Sequence, residues 1–289
     1  MDVYLIDGTY ELFRHFYAVP PQTNAAGEEV AATRGVLGSM LSMLETGVRH
    51  LAVATDHVIE SFRNDLWSGH KTGEGVDPRL LSQFQLLEDS LTSMGLLVWP
   101  MVELEADDAL AGAAAKLSKF REVRRVYICS PDKDLAQCVR KRKVVMMSRR
   151  RDKIIDEKGV IDKFGVPPES IPDFLALVGD TADGYPGLEG WGEKSASTVL
   201  AEYRHLEKIP QESANWTVTP RGVNKLATTL HANMKLALLF RDLATLRTSE
   251  PQISAPSQLR WKGVTDSFGE TCQRLAASPL LSRARSLSL

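Results

Sequence analysis

The chain predicts an α/β fold with a mostly parallel central sheet, and three observations carry that prediction. Short apolar runs of strand length recur at 3–6 (VYLI), 51–55 (LAVAT), 96–99 (LLVW), 126–129 (VYIC) and 144–147 (VVMM). Stretches with helical spacing lie between them, which makes the sheet parallel and doubly wound. The first four strands are each followed, at once or within a few residues, by an acid: Asp7, Asp56, Glu105 and Asp132. The carboxyl ends of parallel strands are where open α/β sheets hold ligands, so acids closing four of them are expected to converge.

In order, strand one ends in Asp7-Gly8, and 9–17 reads as a helix. Asp7-Gly8-Thr9-Tyr10 carries neither GxGxxG nor GxxxxGK[ST], which argues against dinucleotide and P-loop chemistry. A polar loop with Pro20, Pro21, Asn24 and Gly27 leads to a helix over 33–46, where apolar residues recur at helical spacing. The second strand ends in Asp56. The third runs into 103–108 (ELEADD), in which four of six residues are acidic, and then into the helix-forming, alanine-rich 109–117. Adjacent carboxylates repel unless a cation lies between them. Taken alone, the stretch is equally accounted for by Asp107 or Asp108 as an N-cap with the other acids solvated. The fourth strand leads to 130–134 (SPDKD).

From about Gly159 the texture turns helical, which suggests an α/β core over 1–158 and a helical region over 159–289. Short helices over 162–178 are broken by Pro167, Pro168 and Pro172. The turn 179–187 (GDTADGYPG) adds Asp180 and Asp183, then passes through 188–196 (LEGWGEKSA) into a helix ending about Tyr203. Gly187, Gly190 and Gly192 let the backbone approach a phosphate, with amides, Ser195 and the cation Lys194 at the helix start. This is a helix–hairpin–helix pattern, which grips a duplex backbone without reading bases. Residues 205–220 read as a loop, 224–246 as helix, and 251–256 as a linker before a short, polar, frayed tail.

At 289 residues the chain can bury a large core, and its 43% hydrophobic and 25% charged residues are ordinary for a soluble protein. The start MDVYLIDG reads as a strand rather than a signal peptide. No apolar run nears the ~20 residues needed to span a bilayer. Cys129, Cys138 and Cys272 form no CxxC pair, so no disulfide framework or zinc site is indicated. The chain reads as cytoplasmic.

The segments LIDGTYELFRHFYA, SFRNDLWSGHK, ELEADDALA, SPDKDLAQ and LVGDTADGYPGLEGWGEKSA, and more weakly NMKLALLFRDLATLRT, resemble the 5′ nuclease (flap endonuclease) family. That family includes the N-terminal domain of bacterial DNA polymerase I and free-standing phage and bacterial nucleases. The resemblance covers most of the chain, with no polymerase domain following. It implies a PIN-like 5′ nuclease core with a helical arch at about 60–80, ahead of the helix–hairpin–helix (helix-3-turn-helix) at about 179–204. Its metal carboxylates fall on Asp7, Asp56, Glu105, Asp107 and Asp108 near one ion and on Asp132, Asp134, Asp180 and Asp183 near a second. Oxygen-only ligands suit Mg²⁺ or Mn²⁺ rather than zinc. Two such ions would clamp a scissile phosphate, one generating hydroxide and the other stabilising the leaving oxygen.

The resemblance also places Arg63 and Lys71 above the metals, where they would stabilise charge building on the phosphate; the competing account is two surface cations on a polar helix. It implies K⁺ at the backbone carbonyls of 184–192. Arg14 matches a family position for which a phosphate contact and a structural role are equally open. The chain departs from the pattern at His70, Glu74 and Gly184, where the family usually has Tyr, Arg and Asn. Glu74 together with Gly69, Gly73 and Gly75 implies a looser arch, whereas Gly184 is a minor change at a turn.

Setting nine metal-site acids aside leaves 28 of 37 against 35 Lys and Arg. The remaining surface would then carry about +7, suited to a polyanion. The basic runs at Arg121/Arg124/Arg125, 140–143 and 149–151 are by themselves ordinary solvated faces.

The expected activity is divalent-metal-dependent 5′-3′ exonuclease and 5′ flap endonuclease cleavage of DNA at 5′ ends, flaps or nicks, in replication and repair. The expected protein is monomeric, without a membrane segment or organic cofactor. Two alternatives compete: a non-catalytic binder of branched DNA with a silent metal site, and a PIN-like ribonuclease. A binder gains nothing from a repulsive acidic pocket, and the hairpin after Asp183 favours duplex DNA.

Overall fold

The computed structural model describes residues 1–149 and 153–287; Arg150 and Arg151 of the basic run 149–151 lie outside the described residues. The chain forms two compact units that interleave in sequence. The first takes Met1–Ile59, Gly73–Ser130 and the C-terminal stretch from Thr248; the second takes Glu60–Thr72 and Pro131–Arg247. Compactness therefore does not follow a single cut at 158/159, because the end of the chain returns to the first unit.

In the first unit, β1 (Asp2–Asp7), β2 (Leu51–Asp56), β3 (Leu97–Met101) and β4 (Arg125–Cys129) run parallel in the order β3-β2-β1-β4. Val3, Leu5, Ile6, Ala52, Val53, Val126 and Ile128 have no exposed surface, as strands covered on both faces require. The covering helices are α1 (Gly8–Ala18), α2 (Ala31–Glu45), α5 (Gln83–Ser93) and α6 (Ala106–Leu117). The turn from β1 into α1 is tight. A Cβ on Gly8 would lie 2.6 Å from Val53 Cγ1 and 2.7 Å from Thr55 Cγ2, so only glycine fits directly after Asp7.

The tail differs from the frayed end that its polar sequence suggested. It forms α12 (Phe268–Arg274) and α13 (Ser278–Leu287), which pack against α5 and α2. Phe268, Cys272, Leu275 and Ala284 are buried, and Arg283 pairs with Glu45 at 2.8 Å. A few buried apolar residues and ion pairs along the rim hold these helices. The periodicity of SPLLSRARSLSL alone is too weak to announce them.

Among the described residues, the second unit carries α3 (Phe62–Leu66), the antiparallel pair β5 (Val144–Ser148) and β6 (Lys153–Ile155), and five further α-helices. These are α7 (Glu157–Phe164), α8 (Ile171–Val178), α9 (Glu193–Tyr203), α10 (Val223–Ala232) and α11 (Met234–Ala244). The helical stretch expected over 224–246 is split at Asn233, whose backbone and side-chain nitrogens both donate to Thr229 O. Phe240 anchors the core, stacked on Tyr185 with ring centroids 5.4 Å apart and met edge-on by Trp67 at 5.2 Å.

The segment expected as a helical arch is helical only at its ends, in α3 and in α4 (Pro78–Leu81), with irregular backbone over 67–77. Among the described residues no helix is long and apolar enough to cross a membrane.

Candidate metal centre

The first unit holds five of the nine predicted carboxylates, at the carboxyl ends of its strands and the helix starts that follow. Asp7 closes β1 and caps α1: its Oδ1 accepts from Tyr10 N at 2.8 Å and its Oδ2 from Ser130 Oγ at 2.7 Å. Asp56 closes β2. Its backbone N donates to Thr9 Oγ1 at 2.8 Å, and its Oδ1 accepts from Ala106 N at 2.8 Å, so it meets the start of α6. There Glu105 and Asp108 are 5% and 0% exposed, and Glu105 N donates to Asp108 Oδ2 at 2.9 Å. Asp107 is half-buried in the same turn. Neither Asp107 nor Asp108 is the N-cap of α6: Glu105 holds that position, Asp108 closes a capping box as the third helical residue, and Glu105 and Asp108 are buried rather than solvated. Thr55 and His57, on either side of Asp56, both bond to the buried Glu88 at 2.8 Å.

The second unit holds the other four. Asp134, Asp180 and Asp183 each present a carboxylate oxygen, and the three atoms lie within 4.8 Å of one another. Asp132 joins them through its Oδ1, which accepts from Asp134 N at 2.9 Å. Burial holds the Asp134 carboxyl well above the usual carboxylate range, and the charges of Asp132, Asp183 and Asp180 add to that push. Burial raises Asp132 too, against a lowering by the Asp134 amide. Asp134 Oδ1 is buried with no hydrogen-bond partner. Three converging carboxylates, two buried and one half-buried, with an orphaned oxygen on Asp134, form the all-oxygen donor set that suits a hard divalent cation.

The second unit also shows what surrounds this cluster. Lys71 Nζ lies 3.4 Å from Asp183 Oδ1. Lys133 Nζ, which sequence reasoning passed over, lies 2.9 Å from Asp180 Oδ2. Its only signal was its position between Asp132 and Asp134. Arg63 is only 2% exposed, and its guanidinium donates to Leu243 O at 2.8 Å and Thr245 O at 3.4 Å, at the C-terminal end of α11. It is no surface cation on a polar helix. His70 is buried, whereas Glu74 is exposed. In the first unit Arg14 contacts Glu11 at 2.5 Å and His15 Nε2 at 2.9 Å.

The hairpin joins α8 to α9. Asp180 and Tyr185 exchange both backbone hydrogen bonds, N to O at 2.8 and 3.0 Å, which closes the acidic turn. Gly187 has φ +72°, and a Cβ there would lie 2.4 Å from Gly179 N, so the two glycines let the strands of the hairpin touch. Gly192 caps α9, its N–H donating to Ser195 Oγ at 3.0 Å, and Lys194 is exposed in the first turn. Gly190 lies in the turn before it, with φ +81°.

Two family models cover nearly the whole chain: the 5′-3′ exonuclease N-terminal resolvase-like domain over residues 2–165, and the 5′-3′ exonuclease C-terminal SAM fold over 166–267. The 5′-3′ exonuclease of Aquifex aeolicus is 33% identical over 244 residues, covering 83% of this chain and 82% of that protein. DNA polymerase I of Rhizobium leguminosarum is 34% identical over 259 residues, covering 86% of this chain. The match spans about a quarter of that polymerase's length (25%). Among solved structures, T5 5′-exonuclease with bound divalent zinc ions superposes with a TM-score of 0.67 at 17% identity, covering 99% of this chain and 98% of that one. The catalytic core of Rad2 in complex with DNA substrate gives 0.63 at 15% identity, covering 98% and 90%. These two likenesses show the fold, and the models and the Aquifex relative show the kinship: the chain belongs to the 5′-3′ exonuclease family.

Proposed function

We propose that this protein is a divalent-metal-dependent 5′-3′ exonuclease and 5′ flap endonuclease that hydrolyses DNA phosphodiesters in replication and repair. The observation that carries the reading is the convergence of Asp134, Asp180 and Asp183 within 4.8 Å in a buried setting, a repulsive arrangement that a cation relieves. The names of the relatives, exonucleases and DNA polymerase I, support the same substrate, as does the DNA bound by the Rad2 core.

In this reading Asp132, Asp134, Asp180 and Asp183 hold one ion, and Asp7, Asp56, Glu105, Asp107 and Asp108 hold another, with Mg²⁺ or Mn²⁺ the metals of choice. Bound there, such ions supply Lewis acidity at the phosphodiester and lower the pKa of water. The protein's own groups do the rest. Lys71, beside Asp183, meets the negative charge of the phosphate. Arg63 anchors α3, and so the start of the arch segment, to the end of α11. Gly187, Gly190, Gly192, Lys194 and Ser195 hold a duplex phosphate at the start of α9, with K⁺ at the carbonyls of 184–192. Functionally, 1–158 carries the nuclease core and 159–289 the grip on duplex DNA. The protein works as a monomer.

The test is cleavage of a 5′-labelled flap and a nicked duplex with Mg²⁺ and with EDTA. Cleavage near the junction that EDTA stops supports the reading, and tight binding without cleavage under either Mg²⁺ or Mn²⁺ overturns it.

A further inference from the structure

Two of the second unit's buried polar atoms without a hydrogen-bond partner belong to the acidic cluster or to a residue paired with it: Asp134 Oδ1, and the hydroxyl of Tyr185, whose backbone bonds to Asp180. An unsatisfied buried hydroxyl is destabilising, so it calls for an explanation. Packing supplies none. The ring of Tyr185 already stacks on Phe240 and is 1% exposed, and a phenylalanine would fill the same space without an orphaned oxygen. The backbone of Tyr185 is paired to Asp180, one of the three converging carboxylates, which ties the base of its side chain to the cluster. A phenol has a proton to give and the carboxylate oxygens of the cluster are acceptors, so the hydroxyl serves here as a donor.

We infer that Tyr185 is a positioning residue of the second metal site: its hydroxyl donates to the oxygen ligands there, Asp134 first among them, and turns the carboxylates toward a divalent cation. The two orphaned atoms then satisfy each other, directly or through one water, when the ligands close on the ion. Donors behind ligating carboxylates typically change metal affinity by about 10–100-fold.

This inference rests on the metal reading above. The test is Mn²⁺ titration by calorimetry of the unaltered protein and of Tyr185→Phe, with thermal melting of both free of metal. Tyr185→Phe removes one oxygen and leaves the ring. The expected result is roughly tenfold weaker Mn²⁺ binding with an ion-free Tm that is unchanged or higher. Equal Mn²⁺ affinities overturn the role of Tyr185 and leave the metal reading intact, whatever the ion-free Tm does. Failure of the unaltered protein to take up Mn²⁺ overturns both.

Discussion

The ammonium of Lys133 lies 2.9 Å from Oδ2 of Asp180, so the acidic cluster of the second unit already contains a cation of its own. Asp180 is 4% exposed, and only a positive neighbour or a hydrogen-bond donor makes a carboxylate tolerable at that depth. Lys133 thus partly neutralises the site before any metal arrives and competes with metal for the same oxygen. Its side chain is 37% exposed, which limits the pair to roughly 0.5–1 kcal/mol. Lys133→Met should lower the ion-free Tm slightly and tighten Mn²⁺ binding about two- to fivefold. Melting curves with and without Mn²⁺ check both signs.

The buried carboxyl of Asp134 gives the ion-free protein a pH dependence of definite sign. Its folded pKa lies above its unfolded one, so the native state holds more protons than the unfolded state as pH rises through that window. Stability from this group therefore falls from the ordinary carboxylate range upward, and addition of Mg²⁺ should oppose the fall. In the ion-free protein, Asp134→Asn should raise Tm at pH 8 more than at pH 5. Melting of both proteins across that range, with and without Mg²⁺, reads the difference directly.

Arg63 and Lys71 should separate cleanly when mutated. The Arg63 guanidinium is buried and holds carbonyls at the end of α11, so Arg63→Ala should cost about 3 kcal/mol of stability along with activity. Lys71 has 28% of its side chain exposed and its ammonium lies 3.4 Å from Asp183, so Lys71→Ala should leave denaturation midpoints nearly unchanged while cleavage drops about 10²-fold or more. Urea unfolding beside single-turnover cleavage distinguishes the two outcomes.

Gly184 stands where the resemblance suggests Asn, and the structure gives this a physical reason. Its φ is +79°, and an added Cβ would lie 1.8 Å from Gly69 O, while Trp67 Nε1 donates to Gly184 O at 3.0 Å. Gly69 and Gly184 therefore fit each other, so Gly69 is a packing residue, whereas a Cβ on Gly75 would meet nothing within 4 Å. Gly184→Asn should destabilise by about 2–4 kcal/mol, measured by urea unfolding, even though it installs the usual family residue.

What the sequence made legible was the periodic part of the design. Asp7 and Asp56 close apolar strands, Glu105 follows one, and Asp180 and Asp183 sit in a glycine-rich turn, so each stood out against its surroundings. Lys133 did not, because a lysine between two aspartates reads as an ordinary polar turn until Asp180 is brought back beside it. Arg63 left a surface cation open as the competing reading, since nothing local in SFRNDL says that its guanidinium is buried against α11. The helices α12 and α13 were missed because burial of Phe268, Cys272 and Ala284 against distant α2 and α5, not local periodicity, holds them in place. Tyr185 looked like a turn residue, and its weight comes only from an oxygen left without a partner.

The central claim is that these carboxylates run metal-dependent cleavage of DNA from the 5′ side. It is tested most directly by incubating a 5′-labelled flap substrate with the unaltered protein, Asp132→Ala and Asp183→Ala in Mg²⁺, while scoring binding and cleavage in the same samples. The account predicts cleavage near the junction by the unaltered protein only, with junction binding kept by both variants. Full Mg²⁺-dependent cleavage by both variants would contradict it.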